Sequence, residues 1–322
     1  MMSKYKCSHC GKEYAMKSWY EKHLKKKHGE ESAMEAIVEQ IEESGKPLNQ
    51  KLDEMYEAVR NFNKSLQNLE ETKQSVDFNV NARYILLVGR SDLHYGNENV
   101  DMDYVDRLLN FIENTPNVYC FLNGDVLDNW VMLAPQGGIY EQTLKPERQL
   151  DIMIHKLRPI KDKVLALCYG NHEGRSQKQG DKNPSKIMAE QLDVAYLGAG
   201  GRLNLNFGDL VYKIHIRHRF RYESSFNPTH ACNRLIEQLD SEAQIVFLGH
   251  KHEPAIATHF KAGRQRSLLR FGSAMPSTNY SNYLGFGESP LVAPSVILSG
   301  EEHLHHPFLS LRVAKAYLNR IC

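Results

Sequence analysis

Residues 84–94 read YILLVGRSDLH: an apolar, β-rich run that stops at a glycine and then presents a carboxylate and an imidazole, Asp92 and His94. The run Tyr84–Val88 is too short for a helix and fits a buried strand. The same pattern recurs in VYCFLNGDVLD at 118–128 and in VLALCYGNHE at 164–173. Two later apolar runs, Val211–Ile216 and Ile245–Leu248, lead into His218 and into Gly249-His250-Lys251-His252, and Leu203–Phe207 reads as a further strand. Helical stretches separate these runs, so from about residue 80 the chain predicts an α/β layered domain. Ligands of open α/β sheets collect at the carboxyl ends of strands, and the polar clusters of this chain follow its strands in that way.

The five loops offer carboxylate, imidazole and amide groups without thiolates, an oxygen and nitrogen set that suits Mn, Fe, Zn or Ni. In order and offset they resemble the calcineurin-like metallophosphoesterase superfamily, which includes SbcD-type DNA repair nucleases, protein phosphatases and cyclic-nucleotide phosphodiesterases. The resemblance covers roughly residues 80–275. It implies a four-layered αββα sandwich with two divalent metals, manganese favoured. One metal would be held by Asp92, His94, Asp125 and His252, the second by Asp125, Asn171, His218 and His250, with Asp125 shared. Two such cations neutralise phosphoryl oxygens and acidify a water for in-line attack on phosphorus. By the same resemblance His172 would protonate the leaving oxygen, and Asp128 would orient that histidine. His215 and His218 both compete for the fourth-loop position; His218 is preferred because it ends its strand, whereas His215 shares a face with Lys213 and Arg217.

The N-terminus has a different character. Cys7, Cys10, His23 and His28 have the spacing of a two-Cys, two-His zinc finger, with two thiolates on a turn and two imidazoles on one helix face. One structural zinc and a ββα fold are therefore expected for residues 1–29, with Tyr14 and Tyr20 as a miniature core. These residues carry eight Lys against two acids, which marks a polyanion-binding tip. Lys17, Trp19, Lys22 and the run Lys25, Lys26, Lys27 are the expected contacts, largely electrostatic, with Trp19 stacking. Arg175, in the loop after Glu173, is a further candidate for phosphate contact.

Between finger and catalytic domain, residues 30–76 read as a helical arm, with a heptad seam at Leu48, Leu52, Met55, Val59, Phe62, Leu66 and Leu69. Ser44-Gly45-Lys46-Pro47 breaks the helix before it. The seam suits a coiled-coil homodimer or an arm folded within the chain. Domains are thus expected at 1–29, 30–76 and 80–322. Gly198-Ala199-Gly200-Gly201 precedes a strand and reads as a turn. His303, His305 and His306 fit no loop of the constellation and read as solvated, while Cys120, Cys168, Cys232 and Cys322 read as core residues.

No apolar run is long enough for a membrane span and no signal peptide opens the chain, so a cytoplasmic location without a membrane partner is expected. A basic finger fused to a phosphoesterase points to a nuclease or phosphodiesterase on nucleic acid, DNA favoured over RNA. Two other readings compete: a phosphatase or cyclic-nucleotide phosphodiesterase whose finger serves localisation or protein binding, and a non-enzymatic binding protein.

Overall fold

The computed structural model describes residues 5–7, 11–14, 16–27, 29–69, 74–131, 140–180, 182–261, 263–277, 283, 285 and 288–321. The chain divides into two compact units, Met1–Glu71 and Thr72–Cys322.

In the first unit, β1 (Tyr5–Lys6) pairs antiparallel with β2 (Glu13–Tyr14), and α1 (Lys17–Lys27) follows. Gly11 turns the hairpin at φ 72°, its N–H donating to the Cys7 carbonyl at 2.7 Å. A small core gathers buried Cys7, Tyr20 and Ala36 with Tyr5 and Tyr14 against them. Ala36 belongs to α2 (Gly29–Glu42), so this core draws on more than the hairpin and its helix. Helix α3 (Leu48–Leu69) starts beyond the Ser44–Pro47 break, where Gly45 takes φ 68°. Its seam lies open at Leu48, Leu52 and Val59, which are 73%, 56% and 43% exposed. The side chains of Phe62, Leu66 and Leu69 lie outside the described residues, as does Cys322.

The second unit is a mixed α/β fold built on two six-stranded sheets. One has the order β14-β13-β4-β5-β6-β7, the other β11-β12-β10-β9-β8-β3. The first comprises β4 (Tyr84–Arg90), β5 (Val118–Asn123), β6 (Val164–Cys168) and β7 (Ala195–Tyr196), all parallel, with β13 (Ser295–Ser299) and β14 (His305–Phe308) antiparallel at one side. The second comprises β3 (Ser75–Asn79), β8 (Gly200–Phe207), β9 (Leu210–Arg217), β10 (Ile245–Leu248), β11 (Ala255–Lys261) and β12 (Arg264–Arg270). Strand β3 pairs in parallel with β8, so the catalytic unit begins ahead of residue 80, where the sequence places it.

Residue alternation explains the layers. In β4, Ile85 and Leu87 join Phe121, Leu203, Leu205, Ile214 and Phe247 in one cluster between the sheets. Leu86 and Val88 face the opposite way, into a cluster shared with α4 (Met102–Asn114), α5 (Pro146–Leu157), α7 (Pro184–Leu192) and α9 (Leu311–Ile321). Across the molecule α8 (His230–Gln238) covers Val246, Leu248 and Leu268. The order is therefore helices, sheet, sheet, helix, and period-two burial on both faces of each central strand produces it. Asp101 caps α4 by accepting the Tyr104 N–H at 2.6 Å, and Asn183 caps α7 ahead of Pro184.

Two expectations are corrected here. His305 is buried in β14 and bonds Ser267 Oγ at 3.0 Å, and His303 lies against the Val211 carbonyl and Gln244, each at 3.0 Å. Only His305 leaves the solvated loop, because the returning β13–β14 hairpin packs it on the second sheet, while His303 in the bend and His306 stay exposed as expected. Gly200 and Gly201 open β8 and are strand residues, with the turn ahead of them at Gly198, φ 58°.

Candidate active site

The sheet registers bring the polar loops to one edge. Arg90 pairs with Leu122 and Asn123 with Cys168, so Asp92, Asp125 and Asn171 all lie two or three residues beyond the paired ends of β4, β5 and β6. In the second sheet Leu248 pairs with Arg217, and His218 and His250 follow directly. The turns are tight: Asp92, His94, Asp125, Asn129, His250 and His252 all have left-handed backbones, with φ between 46° and 74°. Side-chain-bearing residues adopt that conformation rarely, and it clusters at functional sites.

Two triads converge, with ligand atoms within 4.8 Å of one another: Asp92, His94 and His252, and Asp125, His218 and His250. His252 Nε2 lies 3.2 Å from Asp92 Oδ1 and 3.1 Å from His94 Nε2. His218 Nε2 lies 3.2 Å from both Asp125 Oδ2 and Asn171 Oδ1. A third group joins His94, Asp128 and His172. All seven residues expected as metal ligands thus meet at one edge, with His172 beside them, its Nε2 3.8 Å from Asp125 Oδ2. His215 points elsewhere, its Nδ1 2.8 Å from Asp240.

The donor set fits cations. Asp92 and Asp125 are buried, which by itself raises a carboxyl; the hydrogen bond and charge of His252 hold Asp92 below the carboxylate range, and His218 and His172 hold Asp125 well below it. Burial, the largest influence on His218, lowers it, but Asp125 and Asp92 outweigh that and raise it to about 9. The edge therefore recruits positive charge even as protons. Burial keeps three further rings neutral: His94 falls well below its ordinary value, and His172 and His250 fall to about 4. His218 Nδ1 lies 3.0 Å from the Asn123 carbonyl and 3.3 Å from Ser91 Oγ, which turns Nε2 towards Asp125.

The orientation of His172 differs in detail from the expectation. Its Nδ1 is 2.5 Å from the main-chain carbonyl of Asp128, while the Asp128 carboxylate stays 3.8 Å away and takes a bond from Asn97. Burial pushes Asp128 up to about 7. The left-handed turn at Asn129 presents that carbonyl, and Asn129 Nδ2 also donates to the His172 carbonyl at 2.6 Å.

Glu173 has a role that its motif does not reveal. It is buried and accepts four backbone N–H groups: Val126 and Leu127 at 2.8 and 3.0 Å through Oε1, Asp125 and Gly170 at 3.0 and 2.9 Å through Oε2. It fastens the loop after β5 to the loop after β6. Burial, helped by the Asp125 charge, pushes Glu173 up to about 6 against the pull of these N–H donors. The signal available in sequence was its place three residues after Gly170, one helical turn.

The sequence profile of calcineurin-like phosphoesterases matches residues 87–254, more than half of the chain. The chain belongs to the calcineurin-like phosphoesterase family. Phosphoester hydrolysis with divalent metal ions is the family's chemistry, and the whole ligand edge, Asp92 through His252, lies within the matched span. No curated protein matches the chain. Among solved structures, a predicted phosphoesterase of Streptococcus pneumoniae is similar at 16% identity and TM-score 0.34, over 71% of this chain and 99% of that one. A putative 5′-nucleotidase of Staphylococcus aureus is similar at 12% identity and TM-score 0.40, over 67% of this chain and 51% of that one. A metallophosphoesterase of Sphaerobacter thermophilus is similar at 12% identity and TM-score 0.34, over 74% and 94%.

For the expected zinc site, Cys7 is buried at the hairpin and His23 sits on α1 with its ring 5.0 Å from that of Tyr14. Cys10 and His28 lie outside the described residues, as do the side chains of Lys25, Lys26 and Lys27. Lys17, Trp19 and Lys22 lie on α1, all exposed. Arg175 lies on α6 (Asn171–Gly180), its guanidinium carbon 3.8 Å from the Trp130 ring centre and Nη1 3.0 Å from His172 Nδ1. No helix among the described residues is long and apolar enough to cross a membrane.

Proposed function

We propose that this phosphoesterase is a two-metal phosphodiesterase that cleaves nucleic acid, DNA in preference to RNA, with its N-terminal unit delivering it to the polymer. The observation that carries the reading is the meeting of two ligand triads beside a buried, neutral histidine, with Arg175 against that same histidine. Asp92, His94 and His252 would hold one cation, Asn171, His218 and His250 the other, and Asp125 would serve both. When bound, two such ions supply charge neutralisation at the phosphoryl oxygens and an acidified water. The chain's own residues do the rest. Asp92 and Asp125 fix the ions' charge balance, Asn123 and Asp128 orient two histidines through their carbonyls, and His172, neutral at rest with its proton on Nδ1, would take at Nε2 the proton that the attacking water gives up and pass it to the leaving oxygen. Arg175, stacked on Trp130, places a guanidinium where a flanking phosphate passes.

Support for the polymer comes from the lysine-rich tip, from exposed Trp19 and from the hairpin-and-helix form around Cys7 and His23, which suits a zinc-bound finger with Cys10 and His28. The open seam of α3 suits pairing with a second copy, and the free thiols of Cys120, Cys168 and Cys232 suit a reducing, cytoplasmic compartment. The test is manganese-dependent cleavage of labelled single-stranded and duplex DNA and RNA by the whole chain, by its His172→Ala form and by residues 72–322 alone. Cleavage lost in His172→Ala and weakened without residues 1–71 is the expected result. Hydrolysis of small phosphoesters with every oligonucleotide left intact would refute the polymer substrate and keep the metal chemistry.

A further inference from the structure

The segment between His218 and α8 interleaves basic and aromatic side chains: Arg219, Phe220, Arg221, Tyr222 and, four residues on, Phe226. It is fastened at several points. Phe220 packs on the apolar cluster beneath α8, and Arg221 donates to Gln238 Oε1 at 3.0 Å. Glu223 accepts at 3.1 Å from Arg270, which is buried at the end of β12. Ser224 Oγ accepts the N–H groups of Phe226 and Asn227 at 3.2 Å each. Arg270 pairs in register with Leu248, which pairs with Arg217. The loop is thus tied to the sheet edge from which His218 and His250 project.

So fastened, the loop holds two aromatic rings in solvent. Phe226 is 99% exposed and Tyr222 41%. Tyr222 has a left-handed backbone, φ 69°, which a bulky residue adopts only when its surroundings impose it. The Arg221 and Arg234 guanidinium carbons lie 4.9 and 5.1 Å from its ring centre. Arg234 is paired with Glu237 at 2.8 Å, whereas Arg219 is exposed and follows His218 of the ligand edge directly in the chain. Folding gains nothing from a phenylalanine left wholly in water. Flat apolar faces next to cations match one ligand chemistry well: unstacked bases joined by phosphates. A duplex hides its base faces in the stack, whereas a single strand offers them.

Resting on the polynucleotide reading above, we propose that residues 219–226 form a stacking ledge that selects single-stranded substrate, with Phe226 and Tyr222 taking bases and Arg219 the phosphate between ledge and metals. The test compares manganese-dependent cleavage of one short labelled sequence, single-stranded and as duplex, by the whole chain and by its Phe226→Ala and Phe226→Trp forms, with kcat and KM measured separately. Loss of one stacked base weakens binding by about 5- to 150-fold. Phe226→Ala is expected to raise KM for the single strand by that range while KM for the duplex stays put, and Phe226→Trp is expected to restore it. Equal effects on both substrates, no effect on either, or a wild-type chain that prefers duplex would overturn the ledge and leave the nuclease reading standing. A wild-type chain that cleaves no oligonucleotide would overturn both.

Discussion

Replacing Glu173 by Gln tests whether one carboxylate holds the two central loops together. All four of its contacts are N–H donors, at 2.8–3.0 Å, and an amide can match only two of them. With its oxygen kept towards Val126 and Leu127, its NH₂ group would face the N–H groups of Asp125 and Gly170, donor against donor. Hydrogen bonds to a charged group are each worth about 1.5–3 kcal/mol net, so losing two removes about 3–6 kcal/mol. For a unit of this size that corresponds to a fall in Tm of roughly 6 °C or more. The damage falls on the backbone beside Asp125 and Asn171, so metal binding should weaken along with stability. Thermal unfolding with and without manganese, plus calorimetric metal titration, would read both effects. A Glu173→Gln protein with unchanged Tm and unchanged metal affinity would refute the idea that this carboxylate fastens the loops.

Removing the metals with a chelator should lower Tm, because buried Asp92 and Asp125 lose their counter-charges; each site filled at a hundred times its Kd contributes about 2.7 kcal/mol, and a Tm indifferent to chelation would count against cation binding at this edge. Tyr212→Phe removes the hydroxyl that the carbonyls of Ser299, Glu302 and Leu304 surround at 2.8 Å each, and urea unfolding should show a loss of about 1–2 kcal/mol. His305→Gln should change the acid side of the stability curve. Burial, with His303 and His306 adding, pulls His305 down from 6.5 to about 4, so the folded chain resists a proton that the unfolded chain accepts. Its contribution is complete above pH 6.5 and is lost as pH falls towards 4. Wild type should therefore lose about 2 kcal/mol relative to the variant between pH 7 and pH 5, and parallel urea midpoints at the two pH values would contradict this.

The ligand loops were readable because each follows an apolar run that can only be a buried strand, and the side chains that bind cations are of few types. The strands Val164–Cys168 and Ile245–Leu248 appear with the bounds that their apolar runs give them. What stayed hidden depends on long-range pairing. Strand β3 carries Val76 and Phe78 between polar residues, a weak alternation that becomes a strand only because β8 supplies its hydrogen bonds. The β13–β14 hairpin was hidden likewise, since His305 looks solvated until Ser267 and the second sheet come over it. The use of a main-chain carbonyl in place of the Asp128 carboxylate has no sequence signature, because every residue has a carbonyl. Only the left-handed turn at Asn129 decides where this one points.

The six left-handed residues at the ligand edge have an evolutionary consequence. A side chain held in that conformation costs about 1–2 kcal/mol, which glycine would avoid. Selection for heat resistance alone, blind to turnover, should therefore drift towards glycine at Asp92, His94, Asp125, His250 and His252 and return a sturdier, inert fold. Persistence of the original residues through such a selection would mean that the bound ions repay the strain, so that in this chain robustness and chemistry are selected together.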